Sequence, residues 1–363
     1  MVDKATTIDD DIRKKKKSEP SNDDDGKQLV SHQLPSDDGP LLGAFVITCV
    51  LACLSLGPLV PLLILLVALF GYWRIAATLA AVIVASMVGA EHSYRWCRFY
   101  LKAAGFFDDG VFLHFEKRAV AAFGLAPSMW CMHPHGTAMG FGFSLNGAVR
   151  FRAECPNRFV PVELQEVLTT ARQLTCDGVM APILFLIPLV RSLLIGFGCC
   201  TPATKRGMHG LFQRNIDFGL LPGGMDEVLL YRFQQERVYL SKRAGFIKYA
   251  LQHGYVLLPA YTFGECDLYQ SMTTGSAVRM WMQRNLGFVV PIFWGPLWYA
   301  PWLPRSDVAL HTVIGAPVQL PRIENPSEQE VRTWHQRYIA ALTEVFETHK
   351  ARFGYSDRKL EVV

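Results

Sequence analysis

From Leu41 to Trp73 the chain carries no charged residue, and after Arg74 a second uncharged run extends to Ala90. About twenty apolar residues suffice to cross the hydrocarbon core of a bilayer, and the first run alone is longer than that. A soluble domain has few places to bury so long a stretch, so this segment constrains the fold more than any other. Gly57, Pro58 and Pro61 interrupt it, and Gly71–Arg74 offers a turn. Segment 40–90 therefore reads as an apolar helical hairpin, transmembrane or membrane-embedded. Basic residues lie on both flanks: Lys14–Lys17 and Lys27 before it, Arg95, Arg98 and Lys102 after it. The positive-inside rule then predicts that both flanks are cytosolic.

What surrounds the hairpin differs on its two sides. Residues 1–39 are polar, with charge blocks at Asp9–Asp11, Lys14–Lys17 and Asp23–Asp25. This composition predicts a disordered cytosolic arm. Past residue 39 the chain carries 29 basic and 22 acidic residues, an excess too small and too dispersed for nucleic acid. It suits a membrane surface or an anionic cosubstrate better. The nine cysteines are scattered without a CxxC, which argues against a disulfide framework or structural zinc and for a reducing compartment.

Residues 91–363 read as one mixed α/β domain. Met129–Cys131 is a short apolar run, Thr137–Val149 a helix of small residues, and Ile216–Leu221 a strand ending in Pro222-Gly223-Gly224. Ala244–His253 reads as a helix, with strands at Tyr255–Phe263 and Ala309–Ile314. Ser327 and Glu330 form a capping box, after which Val331, Trp334, Tyr338, Leu342, Val345 and His349 recur at helical spacing. That stripe reads as core packing without chemistry. Val179–Cys200 holds Arg191 and two prolines, and reads as buried or in shallow contact with lipid rather than spanning.

Three clusters carry chemistry. The first is Met132-His133-Pro134-His135-Gly136. Pro134 biases His133 toward extended geometry, where residues two apart share a face, and Gly136 allows close backbone approach. Two imidazoles beside a bare backbone suit a general base next to an oxyanion-binding amide. The same residues also fit a buried turn with two satisfied histidines. The second is Leu221-Pro-Gly-Gly-Met-Asp-Glu227, where Glu227 is placed to orient an imidazole or bind a hydroxyl, or simply ends a common turn. The third is Lys242-Arg243-Ala-Gly-Phe-Ile-Lys248, whose cations face either phosphates or solvent. No Walker loop, GxGxxG or GxSxG is present, and nothing marks Cys131 or Ser144 as an activated nucleophile. Direct transfer with His as base is the simplest scheme. A metal site built on His133 and His135 lacks recognisable further ligands.

Taken together, HPHG at 133–136, PGGxxE at 222–227 and RxGFxKxAxxxGxxLxPxxxFGE at 243–265 resemble the type-2 diacylglycerol acyltransferase family. The resemblance covers roughly residues 90–363 and continues through Pro291-Ile-Phe-Trp-Gly295, Leu303-Pro-Arg305, Gly315-Ala-Pro317 and His349-Lys350…Gly354-Tyr355. The chain lacks the His-x4-Asp of more distant glycerolipid acyltransferases, since Met139 and Thr137 stand four beyond His135 and His133.

The resemblance implies a membrane-anchored, glycerolipid-acyltransferase-like α/β domain that moves a fatty acyl group from acyl-CoA to diacylglycerol. It implies His135 as base, Gly136 or Gly223 and Gly224 as oxyanion donors, and Glu227 as the orienting carboxylate. His133 and Pro134 would position the base and substrate, and Arg206, Arg243 and Lys248 would bind the CoA phosphates. No cofactor beyond acyl-CoA as cosubstrate is implied. The expected location is the endoplasmic-reticulum membrane with the domain cytosolic, with lipid droplets as a second location. Monoacylglycerol, a long-chain alcohol or a sterol are alternative acceptors. A non-catalytic membrane-shaping or lipid-droplet protein is the alternative of another class.

Overall fold

In this computed structural model, which describes residues 26–88, 93–122, 126–137, 139–147, 176–272, 274, 276–286 and 291–363, the strands follow in this order. They are β1 (Leu29–Gln33), β2 (Val111–Glu116), β3 (Ser128–His133), β4 (Cys176–Met180), β5 (Cys200–Pro202) and β6 (Asp217–Leu220), then β7 (Arg237–Val238) and β8 (Val256–Phe263). The last are β9 (Gln270–Ser271), β10 (Phe293–Trp294), β11 (Leu310–Ile314) and β12 (Glu361–Val362). Eight of them form one sheet, ordered β1-β2-β11-β8-β3-β6-β4-β5. From β8 to β5 all neighbours are parallel, while β11 runs antiparallel to β8. Every residue of β3 and β8 is buried, as expected where helices cover both faces of a parallel sheet.

The pleat sorts side chains between two cores. Met129 and Cys131 of β3, with Leu257, Tyr261 and Phe263 of β8, pack beneath the helices Lys205–Gln213, Gly245–His253 and Glu328–His349. Trp130 and Met132, with Leu258 and Ala260, face the other core, shared with helices Pro40–Leu56, Tyr94–Leu101 and Val190–Phe197. The helix Glu328–His349 carries the expected capping box at Ser327 and Glu330, and Tyr338, Leu342 and Val345 are buried as its stripe predicts. Val179–Cys200 folds into the domain as the end of β4, a short 3-10 turn and the helix Val190–Phe197. The helix expected over Thr137–Val149 is confined to Phe141–Asn146 among the described residues.

The arm expected over 1–39 is not polar coil to its end. Leu29–Gln33 adds an antiparallel edge strand to β2, and Leu34 is buried. Its run of Leu29 and Val30 followed by the buried Leu34 supplies apolar contacts that the charge blocks upstream lack; residues 1–25 lie outside the described residues. Beyond it, Pro40–Leu69 is the one helix among the described residues long and apolar enough to cross a membrane. Gly57–Leu59 tightens to a 3-10 turn without ending it, because each interrupting proline falls within the first turn of the helical piece it opens. The chain reverses at Phe70–Tyr72, and Trp73–Val88 packs back along Val60–Leu69. No residue of Val60–Leu69 is buried in the protein. By contrast Gly43, Val46, Ile47, Val50 and Leu51 seat the first half of the helix against the domain.

Candidate active site

The carboxyl ends of β6, β3 and β8 lie side by side at one edge of the sheet, where open α/β sheets bind ligands. Each strand delivers one part of the site. From β3 comes the loop His133–Gly136, from β6 the turn leading to Glu227, and from β8 the turn Gly264–Glu265. Because β3 lies between the other two, its loop is flanked by a buried carboxylate on each side.

Glu227 is a tie rather than a free acid. One oxygen accepts the His135 amide at 2.6 Å, the other the Tyr239 amide at 2.8 Å, and the second also lies 3.8 Å from His133 Nδ1. Burial pushes the Glu227 carboxyl up, but His133 and the two amides outweigh it and hold the group below its ordinary value. It is therefore a carboxylate at neutral pH. Such closeness needs a bare α-carbon at Gly223, where a side chain would collide with Glu227.

Glu265 closes the other flank. It accepts the amides of Phe141 and Gly142 at 3.0 and 2.8 Å and presses against Gly136, whose φ of 70° and contact with Glu265 both exclude a side chain. Burial pushes its carboxyl up to about 7, against the pull of those two amides.

The two histidines are not equivalent. His133 is the last residue of β3 and falls on the same face as Met129 and Cys131. At 1% exposure its ring is inside the protein, with Nε2 3.0 Å from the Tyr338 hydroxyl. The strand ends there, so the alternation that was to give His133 and His135 a common face does not reach the second ring. His135 is half-buried, and its Nδ1 is enclosed without a hydrogen-bond partner among the described residues. Burial pushes this imidazole below its ordinary value, against the opposing pull of Glu227. At neutral pH it is uncharged and able to accept a proton.

One expected contact is corrected. Glu227 was expected to orient the imidazole of the base, but its hydrogen bond goes to the His135 amide and its second oxygen faces the His133 ring. The pleat of β3 turns His133 toward the helix bearing Tyr338 and leaves the loop backbone, not the His135 ring, nearest the carboxylate. Tyr338 lies on the stripe that reads as core packing, but its hydroxyl also bonds His133 and the Cys131 carbonyl. Glu265 closed the third motif without an assigned role. Its signal was the Gly264-Glu265 pair at a strand end.

The basic candidates divide. Arg243 pairs with Asp226, next to Glu227, and lies over the Tyr239 ring. Lys242 and Lys248 are exposed at the start of Gly245–His253. Arg206 is exposed past the end of β5, three strands from β3, or about 14 Å across the sheet. Pro134 and Gly136 are buried within the loop, and Gly224, with a φ of 55°, starts the helix that carries Glu227. Burial pushes the Cys131 thiol up, which disfavours a thiolate.

A family model described as diacylglycerol acyltransferase matches residues 157–363. That span includes Glu227, Arg243 and Glu265 and begins after the His133–Gly136 loop. Diacylglycerol O-acyltransferase 1 of Eremothecium gossypii is 35% identical over 189 residues, 49% of this chain and 41% of that protein. Acyl-CoA wax alcohol acyltransferase 2 of Mus musculus is 35% identical over 189 residues, 49% of this chain and 56% of that one. Human 2-acylglycerol O-acyltransferase 3 is 34% identical over 184 residues, 47% and 53% of the two chains. The chain thus spans about half the length of the curated relatives it matches. A solved 1-acyl-sn-glycerophosphate acyltransferase of Thermotoga maritima overlays with a TM-score of 0.38 at 13% identity, over 85% of this chain and 95% of that one.

Proposed function

Because this chain belongs to the diacylglycerol acyltransferase family, we propose that it transfers a fatty acyl group from acyl-CoA to the free hydroxyl of diacylglycerol. The work takes place on the cytosolic side of an endoplasmic-reticulum membrane, which the helix Pro40–Leu69 enters with Trp73–Val88 returning beside it. The observation that carries the reading is the half-buried His135 ring on a loop clamped between the buried carboxylates Glu227 and Glu265.

His135 takes the proton of the acceptor hydroxyl as its oxygen attacks the thioester carbonyl. The new C–O bond forms while the carbonyl electron pair moves onto oxygen. Amides near Gly136, or at Gly223 and Gly224, stabilise that oxyanion. Its collapse breaks the C–S bond, and the departing thiolate takes the proton from His135, returning the ring to its neutral form. Glu227 keeps the loop in place through the His135 amide and favours the transient imidazolium electrostatically. His133, pinned by Tyr338, is a positioning residue. Arg243, Lys248 and Arg206 supply positive charge for the CoA phosphates.

The test is to incubate membranes containing the full chain with labelled oleoyl-CoA and a panel of diacylglycerol, monoacylglycerol, long-chain alcohol and sterol. Triacylglycerol is the expected product, and His135→Ala loses about 10²–10⁴-fold of it at wild-type abundance. Product only from the alcohol or the monoacylglycerol would move the acceptor. No transfer to any acceptor by the membrane-bound wild type would favour a non-catalytic lipid-surface protein.

A further inference from the structure

A second apolar surface lies on a loop beside the long helix. Residues 291–304, Pro-Ile-Phe-Trp-Gly-Pro-Leu-Trp-Tyr-Ala-Pro-Trp-Leu-Pro, carry no charge. Trp298 is 89% exposed, Tyr299 63% and Trp302 42%. Large aromatic rings crowded so openly on one loop mark an interaction surface rather than ordinary scatter.

The loop is a built structure. Ala300 and Leu303 are buried beneath it. The Gly295 amide bonds the Pro301 carbonyl at 2.6 Å, and the Tyr269 hydroxyl bonds the Trp302 carbonyl at 2.9 Å. Buried on one side and bare on the other, it holds its backbone in place and turns Trp298 and Tyr299 outward. Its location identifies the partner. The Trp302 indole N–H donates to the Thr48 hydroxyl at 2.9 Å, and Thr48 lies midway along Pro40–Leu56. Trp302 therefore ties the loop to the long apolar helix Pro40–Leu69. On the loop's other side, Trp294, Gly295 and Pro296 line a cavity of about 310 Å³ with Phe233, Leu268, Gln270 and the Arg305–Asp307 ion pair. Phe293 packs on Tyr269, which stacks on Phe141 beside Glu265.

We propose that the loop Phe293–Trp302 is a second membrane contact, which inserts Trp298 and Tyr299 among the lipid headgroups and seats the catalytic edge on the bilayer. Tryptophan and tyrosine suit that layer because each joins an apolar ring to a hydrogen-bonding group. An uncharged loop also escapes the cost of carrying charge toward hydrocarbon. The long helix holds the domain on one side only, through its buried first half. A second contact beside the cavity fixes which edge faces the lipid. This inference rests on the membrane anchor of the proposed function.

The test uses the full chain in vesicles of phosphatidylcholine and phosphatidylserine, with a photoreactive phenylalanine derivative at position 298 or, as a control, at the exposed Arg332 on Glu328–His349. Position 298 is expected to form phospholipid adducts and position 332 none. In parallel, the double substitution Trp298→Asp and Tyr299→Asp should raise the apparent KM for vesicle-borne diacylglycerol about tenfold, while that for acyl-CoA moves less than about twofold. Adducts only to protein at 298, or equal lipid labelling at both positions, would overturn the proposal. Failure of the anchor itself is read separately, as release of the wild type from vesicles by alkaline carbonate.

Discussion

Replacing Glu227 by glutamine removes one charge and one acceptor while leaving the shape nearly unchanged. In the native protein both oxygens accept backbone amides, from His135 at 2.6 Å and Tyr239 at 2.8 Å. The glutamine amide group can satisfy only one of them and turns a second donor toward the other. A hydrogen bond to a charged group is worth about 1.5–3 kcal/mol. If that loss falls on the transition state, the rate drops by about 10- to 150-fold. The charge has a separate signature. Burial lowers the His135 pKa and Glu227 raises it, so the neutral base is lost as pH falls through a value below the ordinary 6.5. Without the carboxylate that value falls further, and the acid limb of kcat/KM must shift to lower pH. The assay is initial-rate triacylglycerol synthesis by wild type and Glu227→Gln from about pH 5 to about pH 8, at matched abundance. Activity within about threefold of wild type, or an acid limb that stays or moves upward, would refute both the tie and its electrostatic role.

Tyr338→Phe strips His133 Nε2 and the Cys131 carbonyl of their shared partner. It should cost about 1–3 kcal/mol in thermal or denaturant unfolding and lower kcat with little change in KM. Glu265 should link stability to pH. Its folded pKa of about 7 lies above the ordinary 4.5, so the stability it contributes is full below about 4.5 and fades as pH rises through about 7. Thermal unfolding across that range should slope downward in wild type and flatten in Glu265→Gln. Arg243→Glu, which sets a second carboxylate against Asp226, should raise the KM for acyl-CoA more than that for diacylglycerol. A fall in abundance with both constants unchanged would make the cluster structural.

Local chemistry made much of the fold readable. Ser327 and Glu330 announce the start of the last long helix, and short apolar runs mark β8 and β11 within one residue of their observed starts. What local pattern cannot carry is pairing across distance. Nothing in Leu29–Gln33 specifies a partner more than seventy residues away, and its charged approach argues for coil. Periodicity placed Tyr338 inside the protein but says nothing of where its hydroxyl points. The histidines and Glu227 could be singled out as a set because each lies at an apparent strand end. Which ring faces the carboxylate depends on where β3 stops, a matter of sheet register rather than composition.

The three strand ends at the site are neighbours in space but far apart along the chain, at His133, Leu220 and Phe263. The intervening chain leaves the sheet and returns to it. An insertion within either excursion lengthens a loop or adds a helix at small entropic cost and leaves all three strand ends in register. The sheet edge that carries His133, Glu227 and Glu265 and the exposed aromatic loop are thus separable parts of the chain. The aromatic loop lies beyond β8, outside the stretch of chain that joins these three strand ends.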